Sequence, residues 1–254
     1  MGKIAYIQQA NGDWLTENCY VAAKGFAALG FDIVRFELTN VPNMRVQKDD
    51  VVYGGINTTL ALLDRMGFPR PELINAHREL PEFLGREVRE TTVGALRQNE
   101  AGMYPMFIKP LADNKLFDGA VVHSPIAVLL KLKQYADDVE IFASDFVTFA
   151  GEYRCFVNEG QLVGIQHYKG GYLDYIDTDV VLAAIQAYQT PPASYSLDFG
   201  ITEKQRAVEK GDMPKPGKTL LIEINDGFGL GAYGLNGLTL AKMMLSRWRQ
   251  LTTK

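Results

Sequence analysis

Two segments near the C-terminal end of the chain carry acids where a core strand would carry none. Ser194-Tyr195-Ser196-Leu197-Asp198-Phe199 and Leu221-Ile222-Glu223-Ile224-Asn225-Asp226 are apolar enough to form buried strands, yet each holds acidic or amide groups. Residues two apart on a strand face the same side, so Glu223 and Asn225 point together. If the two segments pair, Asp198 stands about 5 Å across the ladder from Glu223. Two carboxylates and an amide oxygen on one face are hard donors, suited to Mg²⁺ rather than zinc. A bound cation would also offset the repulsion between the acids. The competing reading is a hairpin face that is polar because it is solvated, and Asp226 is assigned to it.

Basic residues in apolar strands are the counterpart. Lys109 lies within Phe107-Ile108-Lys109-Pro110, and Arg154 within Gly151-Glu152-Tyr153-Arg154-Cys155-Phe156. Burying either charge requires a partner, and phosphate oxygens suit both the ammonium and the planar fork of arginine. The bland alternatives are a lysine snorkelling to water and an arginine bridged to a local acid such as Glu152. Lys115 sits in a polar turn, Asp113-Asn114-Lys115-Leu116-Phe117-Asp118-Gly119, that could fold over a nucleotide. The segment Ile141–Val147 could line an adenine with backbone groups, with Asp145 available to a ribose hydroxyl. Directly after Asp226 comes a glycine-rich loop, Gly227–Gly237, whose N–H groups could approach an anion, followed by a helix over Leu238–Trp248.

Other motifs are missing or bland. His77, His123 and His167 have no metal spacing and read as surface or satisfied core histidines. There is no GxGxxG or GxxxxGK[ST], so Rossmann and Walker-type readings lose their support. Gly54-Gly55 reads as a plain turn.

The elements that must position these residues fall into two patterns. Strands at Lys3–Gln8, Phe31–Glu37 and Asp50–Tyr53 alternate with helices over Cys19–Leu29 and Asn57–Met66, which predicts a small parallel α/β unit ending near residue 72. Beyond it the sequence predicts a charged helix over Glu79–Arg89, strands at Met106–Pro110 and Ala120–His123, and a helix from Ser124, the N-cap, to Tyr135. Strands at Val139–Val147, Tyr153–Val157, Leu162–Tyr168, Tyr195–Ile201 and Leu220–Asn225 follow, with a helix over Asp179–Tyr188. Asn158-Glu159-Gly160-Gln161 makes a hairpin of Tyr153–Tyr168. Strands clustered apart from helices predict an α+β unit with antiparallel sheets. Thr202–Lys218 reads as a long charged loop without chemistry.

Composition bounds the function. The 254 residues are 47% apolar and 22% charged, with a net charge of −4, so no global basic field favours nucleic acid or anionic lipid. Two distant cysteines, Cys19 and Cys155, suggest a reducing cytosol rather than a disulfide framework. No window approaches the ~18 apolar residues of a membrane span, and the N-terminus lacks a secretory pattern. The expected location is cytoplasmic.

The order of the motifs carries a resemblance. A lysine strand (MFIKP), a lysine turn (NKLFDG), an EYR hairpin strand (GEYRCFV), an acidic strand (SLDFG) and IEINDGFGLGAYGL resemble the ATP-grasp superfamily, and most closely the clade named for one arginine and two lysines. The resemblance covers roughly residues 72–250. It implies a small pre-ATP-grasp α/β domain over 1–72 and an ATP-grasp domain over 73–254, divided into a lysine-bearing subdomain (73–138) and a metal-binding subdomain (139–254) that sandwich ATP between antiparallel sheets. It implies that Lys109 and Lys115 hold ATP phosphates and that Arg154 stabilises the transferring phosphoryl group, with Lys115 and Arg154 catalytic. Asp198, Glu223 and Asn225 would bind Mg²⁺, two ions in all and replaceable by Mn²⁺. Asp145, Phe146 and Val147 would form the adenine hinge, although many members carry a glutamate there. The implied activity is a carboxylate–amine ligase working through an acyl phosphate with release of ADP. Its carboxylate and amine substrates are a small molecule, a peptide or a protein tail. A small-molecule kinase and a non-catalytic ATP-binding module are the alternatives.

Overall fold

The computed structural model describes residues 2–98, 104–111, 116–171, 173–203 and 217–253. Apolar Ile4–Ala10 (β1) forms the centre of a small sheet. It pairs in parallel with Asp32–Phe36 (β3) on one side and Val51–Tyr53 (β4) on the other, while Asp13–Trp14 (β2) turns back on its end. The crossover β1–β3 runs through the helix Glu17–Ala28 (α1), and β4 leads into Ile56–Met66 (α2). Gly30 and Gly67, both at positive φ, end these helices where a side chain would be strained. The predicted parallel α/β unit is present.

The predicted helix over Glu79–Arg89 is not. Ala76–Glu79 makes one helical turn (α3), Pro81–Phe83 a 3₁₀ turn, and Val88–Thr92 a strand (β5). Pro81 lacks the N–H that a helix interior requires, Gly85 sits at φ 57°, and the β-branched run Val88…Thr91-Thr92 favours extended backbone. After β5 come Val93–Arg97 (α4), Met106–Pro110 (β6), Ala120–Val122 (β7) and Pro125–Leu132 (α5). The Ser124 hydroxyl caps α5 by accepting from the Ala127 N–H at 3.2 Å, as the sequence predicts.

The next strand, Glu140–Asp145 (β8), pairs antiparallel with β5 and β6, giving the order β5-β8-β6-β7. The division expected at 138/139 would assign this strand to the metal-binding part. Its ladder bonds place it in the lysine-bearing sheet instead, with Phe142 beside Lys109. A strand's sheet is set by its partner, and apolar periodicity carries no information on which partner that is.

The remaining strands form a second antiparallel sheet, β10-β9-β11-β12. Phe149–Asn158 (β9) and Gln161–Gly170 (β10) make the predicted hairpin, with Glu159 and Gly160 at positive φ in its two-residue turn. Ser194–Thr202 (β11) and Thr219–Asp226 (β12) pair as the sequence reading requires. Of the predicted loop between them, residues 204–216 lie outside the described residues; Lys218 N–H donates to the Thr202 hydroxyl at 2.8 Å where the ladder resumes.

Three cores hold these layers. Ile108, Ile141, Leu96 and Leu132 fill the space under the first antiparallel sheet. Thr178–Ala187 (α6) covers one face of the second sheet over Leu197, Phe199 and Tyr195. The last helix, Gly237–Leu251 (α7), packs Met243, Met244 and Trp248 into the core of the N-terminal unit, against Phe26 and Leu62. That core also takes in Phe156 of β9, so α7 joins the N-terminal unit to the second sheet.

Candidate active site

The register of three strands builds a charged row. Arg154 on β9 lies beside Asp198 on β11, which lies beside Glu223 on β12. The Arg154 fork donates to both Asp198 oxygens, Nε at 2.8 Å and Nη2 at 2.6 Å, and Nη2 stands 3.9 Å from Glu223 Oε1. This pairing replaces the local Arg154–Glu152 bridge that the sequence left open. Glu152 instead accepts from Lys169 Nζ at 2.5 Å and the Tyr168 hydroxyl at 3.0 Å. From the facing sheet, Lys109 Nζ reaches Glu223 Oε2 at 3.2 Å. Asn225, two residues along from Glu223, donates its amide to Glu223 Oε1 at 3.1 Å and Asp198 Oδ2 at 3.4 Å. Thus Lys109, Arg154, Asp198, Glu223 and Asn225, contributed by four strands, meet at one place.

Electrostatics follow from this packing. The Asp198 side chain is 2% exposed, and burial pushes its carboxyl up to about 6. The Arg154 fork opposes that rise and the Glu223 charge adds to it. Arg154 is held above its ordinary value: burial works against its charge, but Asp198 outweighs burial. Glu223 is 36% exposed; burial disfavours its charge, yet Lys109, Asn225 and Arg154 hold it below the usual carboxylate value. The second face of the Arg154 guanidinium is covered by the Tyr233 ring at 4.6 Å, a cation–π contact. Tyr233 itself sits at φ 46°, a left-handed conformation rare for an aromatic residue.

Two residues outside the sequence reading shape the site. Between the pairs Asp198–Glu223 and Phe199–Leu221 the register shifts, leaving Ile222 as an extra residue. Arg86 clamps this bulge, donating Nη1 to the Leu221 carbonyl at 2.7 Å and Nη2 to the Ile222 carbonyl at 3.2 Å. Arg86 and Tyr233 carried no sequence signal, since neither interrupts an apolar strand.

Two clefts meet at Lys109 and Phe142. One, of about 260 Å³, lies between the two antiparallel sheets and is lined by Asp145, Phe146, Val147, Lys109 and Glu223. The predicted hinge therefore opens onto the same space as the lysine and the acid. Asp145 is partly committed, because its carboxylate accepts from the Glu87 N–H at 3.2 Å. The other cleft, of about 210 Å³, runs from Lys109, Arg154 and Asn225 toward α2 and the 71–75 linker. Lys115 lies outside the described residues.

Two N–H groups of the glycine-rich loop are engaged within the fold: Ala232 N–H donates to the Asn18 side chain at 2.8 Å and Leu235 N–H to the Ala232 carbonyl at 2.7 Å. Tyr53 holds the Leu230 carbonyl at 2.8 Å, and the start of α7 packs on α1, where a Cβ on Gly237 would stand 2.7 Å from the Val21 carbonyl. These contacts fasten the N-terminal unit. Asp226 is not a solvated acid: it is 14% exposed and pairs with the Arg247 fork at 2.7 and 2.5 Å. Gly54-Gly55 is a turn as read, with the Gly55 N–H on the Gln8 side chain.

The oxygen donors suit Mg²⁺. Among the described residues no three His, Cys, Asp or Glu side chains converge, leaving two carboxylates and one amide. One or two carboxylates completed by substrate phosphates and water is the usual magnesium arrangement. Here the acids already hold cationic groups, the guanidinium and the ammonium, at ion-pair distance. Asn225 presents nitrogen to them, so it serves as an oxygen ligand only after its amide turns over.

No curated protein matches the chain by sequence. Among solved structures, a RimK domain protein ATP-grasp from Sphaerobacter thermophilus is 16% identical, with 97% of this chain and 99% of that one covered and a TM-score of 0.60. An L-amino acid ligase from Bacillus licheniformis is 12% identical, with 99% and 76% covered and a TM-score of 0.61. A D-alanine–D-alanine ligase from Bacillus anthracis, complexed with ATP, is 13% identical over the whole of both chains, with a TM-score of 0.55. At these identities the likeness is one of fold. The sequence itself matches, over residues 83–243, the ATP-grasp domain family that is the second of the clade named for one arginine and two lysines, so this chain belongs to the ATP-grasp superfamily and to that clade.

Proposed function

We propose that the protein is an ATP-dependent carboxylate–amine ligase. The observation that carries this reading is the row Arg154–Asp198–Glu223 with Lys109, set where the two clefts meet. The larger cleft suits the nucleotide, with adenine against Asp145–Val147. The second lies across the Lys109–Glu223 pair, where a carboxylate would meet the γ-phosphate. The solved ligases of the same fold support the reaction class, and the one complexed with ATP supports the nucleotide.

In this reading a substrate carboxylate oxygen attacks the γ-phosphorus, the bond to the bridging oxygen breaks, and ADP leaves. An amine then attacks the acyl carbon, phosphate departs, and the nitrogen loses a proton to water. Lys109 and Lys115 hold phosphate oxygens, and Arg154 offsets charge on the transferring group. Asp198, Glu223 and Asn225 would hold Mg²⁺, which would supply positive charge against the phosphate oxygens. For Arg154 to reach a phosphoryl group its fork must loosen from Asp198. Walls of Phe107, Phe142 and Ile222 exclude water from the acyl phosphate.

For organisation, we place the division between the two ATP-binding parts after Val147, on the pairing of β8. No helix of the described residues is long and apolar enough to cross a membrane. Both cysteines are free and buried, which supports a reducing, cytoplasmic setting.

The test is a hydroxylamine trap. Purified protein, ATP and Mg²⁺ are incubated with candidate carboxylic acids and hydroxylamine. A ligase of this kind yields ADP, phosphate and a hydroxamate in equal amounts. A stable phosphoester instead would identify a kinase and overturn the proposal.

A further inference from the structure

The second cleft differs from the nucleotide cleft in its walls. Ile56 and Leu60 of α2, Leu73 and Ile74 of the linker, and Phe228 and Leu230 of the glycine-rich loop form its apolar side, with Asn75 and Asn225 as neutral polar groups in the lining. Among the described residues its cationic groups are Lys109 and Arg154, at one end. Of its two acids, Asp226 is spent on Arg247, and Glu72 stands exposed on the linker. Width is set by the approach of the loop to α2: a Cβ on Gly229 would stand 2.7 Å from Ile56 Cγ1, so only glycine there permits this closeness. The volume, about 210 Å³, is below the roughly 300–1,000 Å³ of pockets for drug-sized ligands.

We infer that this cleft seats the carboxylate substrate and selects an acid with an uncharged, apolar body about the size of one side chain. The inference rests on the ligase reading and names the substrate class of that site. A carboxylate drawn to Lys109 and Arg154 leaves its body among Ile56, Leu60 and Phe228. There an acidic side chain would lose its hydration without gaining a partner, and a basic one would meet only Glu72, an exposed acid whose pairing is worth little. Ile56, Leu60 and Phe228 are thus specificity-determining residues, supplied by the N-terminal unit and the loop that fastens it.

The hydroxylamine trap tests this with the full chain and five acids: L-leucine, L-phenylalanine, 4-methylpentanoate, L-aspartate and L-lysine. The three apolar acids are expected to exceed aspartate and lysine at least tenfold in kcat/KM. Phe228→Ala enlarges the cleft and should raise the phenylalanine-to-leucine ratio at least fivefold, whereas a merely structural defect lowers all acids alike. Ile56→Asn, a second and milder change, should lower leucine relative to aspartate. Aspartate or lysine accepted as well as leucine, or unchanged ratios in both variants, overturns this inference and leaves the ligase reading standing. If none of the five acids gives a hydroxamate while ATP still binds by calorimetry, this inference is overturned as well; a stable phosphoester instead overturns the ligase reading and takes this one with it.

Discussion

At the scale of single residues, Arg154 and Glu223 sit in one row but stand in different environments, and they should fail differently. Arg154→Met leaves Asp198 as a nearly fully buried carboxylate without its fork, and breaking such a pair costs about 3–5 kcal/mol. Urea unfolding should show a loss of that order together with loss of ATP turnover. Glu223→Gln alters a carboxylate that is 36% exposed; its remaining oxygen still accepts from Lys109, and its new NH2 can donate to Asn225 once that amide turns over. Its unfolding midpoint should hardly move while Mg²⁺-dependent ATP turnover falls at least a hundredfold; a variant that retains turnover would remove Glu223 from the metal site. These two residues also mark what the sequence reveals. Glu223 and Asn225 were legible because a period of two puts them on one face. The anchor of Arg154 was not, because Asp198 is 44 residues away and only strand register brings the two together. Asp226 misled for a related reason: it belongs to the opposite face of the same strand, where α7 supplies Arg247.

At the scale of elements, the site depends on a local irregularity. If β12 paired without its bulge, the register beyond Leu221 would slip by one residue, and Glu223 would no longer face Asp198. Arg86 holds the two carbonyls at that point, so Arg86→Met should cost about 1–3 kcal/mol for the unmet acceptors. It should also weaken ATP·Mg²⁺ binding several-fold by calorimetry, since Glu223 loses its fixed position. Arg86→Lys, which keeps the charge but not the fork, should restore little of either. A second element, α3, ties the linker to the lysine-bearing sheet through Glu90, which accepts from Arg78 and contacts His77. Those two partners hold Glu90 down at about 2, so its folded value lies below its unfolded one. The contribution of this tether is present above about pH 4.5, the ordinary glutamate value, and is lost as pH falls toward 2. Glu90→Gln should flatten the acid side of the stability profile measured by urea unfolding and leave the region above about pH 6 parallel to wild type. Neither device was visible beforehand. The charged run Glu79–Arg89 looks helical by composition, and only Pro81 and Gly85 hint that it breaks, into the turn and strand that carry Arg86 and Glu90.

For the whole molecule, the sequence reading expects a division near residue 72. The strands on either side of that point pair in separate sheets, while the cores cross it. Residues at both ends of the chain share one apolar interior, Phe26 and Leu62 from the first unit with Met243, Met244 and Trp248 from α7. Two glycines make this closeness possible, because a Cβ on Gly25 would collide with the Gly237 carbonyl, a backbone group that cannot step aside. Gly25→Ala should therefore destabilise by about 1–3 kcal/mol, through forced separation of α1 from α7 rather than through helix propensity, which favours alanine. The same sharing predicts how the chain responds to cutting. A fragment beginning at residue 73 keeps both antiparallel sheets, but it exposes the buried face of α7 and frees the glycine-rich loop from Tyr53 and Asn18. It should aggregate or bind an apolar dye, and it should recover solubility when the 1–72 fragment is coexpressed. A soluble, dye-silent 73–254 fragment that still binds ATP would show two independent units. The second cleft sharpens the expectation, because Ile56 and Leu60 belong to the piece removed. A coexpressed pair should regain acid selectivity together with solubility, since one interface carries both.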